Sequence, residues 1–128
     1  MKRLTFATVL SMMAVGVAHA GLKQKQVVLV DGANRHAWGS LGSARNSVDS
    51  VQFIGCSVYT YADGSETGWC GARDASYGFG SCTTFNPTLI NQIRNLKGDS
   101  VLNLYWDASY TCTEVDVYNQ SYYEPKQP

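Results

Sequence analysis

The sequence predicts a small α+β domain: a mainly antiparallel sheet of two hairpins plus extra strands, one helix and two disulfides. Three observations carry that expectation. From Val51 onward, short stretches of alternating side chains are separated by turn residues. A single segment, Asn86 to Gly98, has helical periodicity. Four cysteines, Cys56, Cys70, Cys82 and Cys112, all follow a leader-like N-terminus.

That leader reads MKRLTFATVLSMMAVGVAHA, with Lys2 and Arg3 ahead of an apolar run and Ala18-His19-Ala20 at its end. Residues 1–20 are expected to be a secretory signal peptide cut after Ala20. A membrane anchor would need roughly 20 apolar residues, more than this run supplies. Gly21 stands where a lipoprotein requires cysteine. Residues 21–128 would then form a single exported domain, periplasmic or secreted, with no membrane anchor. Removing 20 of the 128 residues leaves 108, enough for one domain and too few for two. Of 10 basic and 10 acidic residues, losing Lys2 and Arg3 leaves 8 against 10, a formal charge of −2. Without a basic run there is no electrostatic footprint for nucleic acid. A monomer is expected.

An even number of cysteines in an exported small domain reads as a disulfide framework. No two of them form a CxxC pair, and His36 is the only histidine beyond the leader, so neither a metal site nor a cofactor is expected.

Taken in order, Lys25 to Val30 suits a short first strand, and Asp31 to Ser50 reads as a long irregular connection carrying Arg35, His36 and Trp38. Gly39 and Gly42 lack the lysine and context of a phosphate loop. Then Ile54, Cys56 and Val58 alternate with Phe53, Tyr59 and Tyr61 on the other side. Asp63-Gly64-Ser65 is turn chemistry, and Thr67 to Asp74 returns as the partner strand. A hairpin centred near Asp63 sets Cys56 opposite Cys70 and Ser57 opposite Trp69. Three pairings of four cysteines are possible; this register favours Cys56 to Cys70, which leaves Cys82 to Cys112.

A third strand is expected from Tyr77 to Phe85. The helix follows over about 87–97, capped by Asn86, with Pro87 in its first turn and Leu89, Ile90, Ile93 and Leu96 as its stripe. Gly98 is placed to close it in the left-handed conformation. Val101 to Trp106 and Thr113 to Asn119 form a second hairpin around DASYT, and residues 120–128 form a polar, tyrosine-rich tail. No internal repeat and no low-complexity linker is read.

The segments GSLGSARNSVDSVQFIGC and GDSVLNLYWDASYTCTEVDVYNQSYYEPK resemble those of a family of small uncharacterised exported bacterial proteins. The resemblance covers most of the chain after the leader. It implies export and disulfides and brings no biochemical activity with it.

No catalytic motif stands out, and the chain is not expected to be an enzyme. A nucleophilic hydrolase would have to use His36, and no serine has the GxSxG context. Glu114 and Asp116 alternate with Val115 and Val117, as on an exposed strand face. Asp63, Ser65 and Glu66 lack the repeated acidic positions of a calcium loop. What favours binding is aromatic content: eight tyrosines and three tryptophans, all beyond the leader. The leading expectation is an exported binding domain for a glycan or a protein, using Tyr59, Tyr61, Trp69 and Arg73 on one face of the first hairpin. The alternatives are an inhibitor or neutralising partner of a secreted protein, acting through Arg35, His36 and Trp38, and a small hydrolase built on His36.

Overall fold

The structure, a computed structural model, describes residues 21–125 and 127–128. The expected signal peptide lies outside the described residues. Among the described residues, seven strands and two helices follow in the order β1 (Leu29–Asp31), β2 (His36–Ser40), α1 (Leu41–Arg45), β3 (Phe53–Thr60), β4 (Glu66–Arg73), β5 (Phe79–Thr84), α2 (Pro87–Ile93), β6 (Val101–Trp106) and β7 (Cys112–Tyr118). The α+β class, the antiparallel pairing and both disulfides, Cys56–Cys70 and Cys82–Cys112, are as the sequence predicts. The strands divide into two sheets, β1-β2-β6-β7 and β3-β4-β5.

The core lies between the inner faces of these sheets. Ala37, Leu102, Leu104, Trp106 and Val115 come from one, and Ile54, Cys70, Ala72 and Cys82 from the other. Two glycines on the inner face of the β3–β5 sheet explain how large side chains are accepted there. A Cβ on Gly80 would lie 2.4 Å from the Trp106 ring, and a Cβ on Gly68 would lie 2.8 Å from Ile93 Cδ1. Sheet-to-sheet packing therefore occupies one end of this face and α2 the other. Cys82–Cys112 ties β5 to β7 and so links the two sheets covalently.

Helix α2 begins as its residues dictate. Asn86 Oδ1 accepts from Thr88 N at 2.8 Å, and Pro87 fills the first helical position. It ends earlier than the expected 97. After Ile93 the chain tightens, with Asn95 N bonding Gln92 O at 3.0 Å and Leu96 N bonding Ile93 O at 3.1 Å. A three-residue repeat keeps Leu96 packed against the core, so the apolar stripe outruns the α-helix. Gly98 does not adopt positive φ. The last carbonyls are met instead by local turns, and Ser100 Oγ accepts from Lys97 N at 2.7 Å.

The segment 31–50 is not the irregular connection expected. It contains the β1–β2 turn, strand β2 and helix α1, whose N-cap Ser40 accepts from Ser43 N at 3.1 Å. The inner side of β2 consists of Ala37 and Gly39, too small to register as an apolar alternation. Gly39 is required by close approach, since a Cβ there would lie 2.8 Å from Val28 Cα. That crossing also shortens the first strand to Leu29–Asp31, because Val28 turns inward and its N–H goes to Gln52 Oε1 at 3.1 Å.

Three hairpin turns share one geometry. In Tyr61–Ser65, Asp74–Gly78 and Asp107–Thr111 the first residue's N–H bonds the fifth residue's carbonyl, and the fourth residue bonds back to the first. That fourth residue is left-handed in each: Gly64 (φ 85), Tyr77 (φ 67) and Tyr110 (φ 59). The second and third turns both read Asp-Ala-Ser-Tyr, a local recurrence that strand alternation does not reveal. The tail lies on the domain, where Glu124 Oε2 accepts from Ser43 Oγ at 3.2 Å and the Pro125 carbonyl accepts from Asn46 Nδ2 at 2.8 Å.

Candidate functional site

Antiparallel register assembles the outward face of the β3–β5 sheet row by row. Phe53, Arg73 and Phe79 form one row; Gly55, Gly71 and Ser81 the next; Ser57, Trp69 and Thr83 the third; Tyr59 and Thr67 the fourth. Helix α2 packs on the opposite side, over Gly68. The expected aromatic residues Tyr59, Tyr61 and Trp69 therefore share an open face with Arg73. Tyr59 and Tyr61 are 52% and 54% exposed, while Trp69 is half-buried.

The reason Trp69 is half-buried lies two residues along its own strand. A Cβ on Gly71 would fall 2.5 Å from Trp69 Cη2 and 2.6 Å from Cζ2, so the indole lies down across the glycine. No other residue would let the ring rest on the sheet there. Tyr59, Tyr61, Thr67, Trp69 and Thr83 surround a shallow depression of about 380 Å³. At the far end of the face, the Arg73 guanidinium stands 5.8 Å from the Phe53 ring centre and 5.5 Å from that of Phe79. Phe79 is the residue that sequence reasoning did not place on this face. Its position follows from the Asp74–Gly78 turn, which sets it opposite Arg73.

The second expected group is divided by the structure. Arg35 lies in the β1–β2 turn at φ 51, its carbonyl accepting from Trp106 N at 3.1 Å. It borders a cavity of about 590 Å³ whose walls include Phe79, Trp106, Asp107 and Tyr110. His36 and Trp38 instead point from β2 to the outer face of the four-stranded sheet. His36 is a strand residue, not a loop residue, and its imidazole is stacked between Trp38 at 4.8 Å and Tyr105 at 4.1 Å. Tyr105 was not foreseen as its neighbour, because pairing β2 with β6 requires recognising β2 first. His36 Nε2 is buried and has no hydrogen-bond partner among the described residues. Burial pulls its pKa below the usual value, against a weaker upward pull from the Asp31 carboxylate. The Asn34 side chain and backbone hold Asp31 itself below the ordinary carboxylate range.

Glu114 and Asp116 stand on the same outer side, two residues apart on β7, and hydrogen bonding to Asp116 followed by its charge raises the Glu114 pKa. Asp63 accepts from Ser65 N at 2.9 Å and closes its own turn, while Glu66 pairs with Arg94. No described helix is long and apolar enough to cross a membrane. No family model, curated protein or solved structure matches the chain. The face must therefore be read from its own chemistry.

Proposed function

We propose that the chain is a non-enzymatic exported binding domain whose ligand is a glycan, held on the outward face of the β3–β5 sheet. The observation that carries this reading is the Trp69 indole laid across Gly71 on the side away from α2. An indole lying along a sheet offers a broad apolar surface, and the flat C–H face of a sugar ring is its natural complement. Tyr59 and Tyr61 extend the surface with hydroxyls that reach sugar oxygens. Nothing in the core requires these rings, because the aliphatic side of the same hairpin already buries α2 and the facing sheet.

Export is supported by the leader in residues 1–20 and by the two disulfides. The test is affinity capture from envelope extract by the immobilised domain, residues 21–128, before and after protease digestion. The captured ligand should survive digestion and be lost with Trp69→Ala. A ligand destroyed by protease would assign the face to a protein partner and overturn the glycan reading.

A further inference from the structure

Resting on the glycan reading, the charge of the same face narrows the class of sugar. Among the outward-facing positions of β3, β4 and β5, Arg73 is the only charged residue. Its guanidinium lies over the neighbouring rings of Phe53 and Phe79, whose faces favour the cation without neutralising it. The ion pair among the described residues is Arg94–Glu66, and Arg73 forms none with a described carboxylate. None of its nitrogens is a buried atom left without a partner among the described residues.

Position matters as much as charge. Trp69 and Arg73 are four residues apart on one face, and the indole leans over Gly71, which lies between them. Residues two apart on a strand are separated by about 7 Å. A sugar ring stacked over Gly71 therefore presents its substituents toward the Arg73 guanidinium. A neutral sugar would cover Arg73 without satisfying it, whereas a carboxylate or sulfate would accept two parallel N–H bonds from the fork.

We propose that this face binds an anionic glycan, with the sugar ring stacked on Trp69 and its carboxylate or sulfate group held by Arg73. The experiment is calorimetric titration of the disulfide-bonded domain with polygalacturonate, chondroitin sulfate and fully methyl-esterified polygalacturonate. The first two chains carry the charge as carboxylate alone or together with sulfate; the third keeps the ring and removes the charge. At least one anionic chain should bind about tenfold or more tightly than the methyl ester, the scale of one charge-assisted contact. That affinity should weaken as salt is raised. Arg73→Gln should bring the anionic chain down to the methyl-ester level, and Trp69→Ala should abolish binding of both. Binding of polygalacturonate, with or without chondroitin sulfate, assigns the contact to a carboxylate, whereas binding of chondroitin sulfate without polygalacturonate assigns it to a sulfate.

Equal binding of the esterified and free chains would overturn the anionic assignment and leave the glycan reading standing. Binding of none of the three would also overturn it, while protease-resistant capture from extract decides the broader reading separately. The comparison of esterified with free chain uses the unaltered protein, so it stands even if Arg73→Gln fails to fold.

Discussion

Tyr77 and Tyr110 occupy a backbone conformation that the Tyr61–Ser65 turn gives to glycine. A left-handed non-glycine residue costs roughly 1–2 kcal/mol, and these side chains, 72% and 65% exposed, find little packing in return. Tyr77→Gly and Tyr110→Gly should therefore each raise stability, by about 1 kcal/mol once glycine's extra chain entropy is counted. Chemical unfolding of the two variants measures this, and a loss of stability would mean that the rings are structural. His36 provides a second residue-scale test. Its lowered pKa favours the neutral ring in the folded state, so its contribution is complete above the unfolded value of about 6.5 and is lost as pH falls through the lower folded value. Wild type should lose stability on going from pH 7 to pH 5 more steeply than His36→Phe, which keeps a ring in the stack. Parallel pH profiles would contradict burial as the cause.

At the scale of elements, Gly71 and Ile93 mark the two sides of the same hairpin. Gly71→Ala places a methyl group where the Trp69 indole lies, 2.5 Å from Cη2. The ring must lift, so glycan binding should fall about tenfold or more, while stability changes by no more than about 1 kcal/mol. Ile93→Ala empties the contact of α2 with Gly68 and should cost roughly 2–5 kcal/mol. Unchanged binding in Gly71→Ala would mean that the flat indole is not the platform. This hairpin was legible because its residues report their own register: a polar turn at Asp63-Gly64-Ser65, cysteines placed to meet, and aromatic residues opposite aliphatic ones. Strand β2 was not legible, since its inward residues Ala37 and Gly39 are small for a tertiary reason, the approach of Val28. The apolar stripe overstates the length of α2 because Leu96 stays on the apolar side whether the turn has three residues or four. The face of Phe79 is not legible in the sequence because it depends on where a turn ends.

For the molecule as a whole, two sheets and two short helices enclose a core that a domain of this size strengthens with cross-links. Cys82–Cys112 spans 30 residues and joins the sheets, whereas Cys56–Cys70 spans 14 within one hairpin. Replacing Cys82 and Cys112 by serine should cost about 3–4 kcal/mol, more than the same change at Cys56 and Cys70, because the longer loop regains more freedom on unfolding. Equal losses would indicate that the inter-sheet bridge adds nothing beyond its neighbour. The division of labour between the faces of the β3–β5 sheet, one for the core and one for a ligand, is tested most directly by unfolding Trp69→Ala beside wild type while measuring glycan retention on both. A loss of about 1 kcal/mol with glycan binding abolished is the predicted result; a loss of roughly 3–5 kcal/mol, the cost of a core truncation, or full retention of the glycan would contradict it.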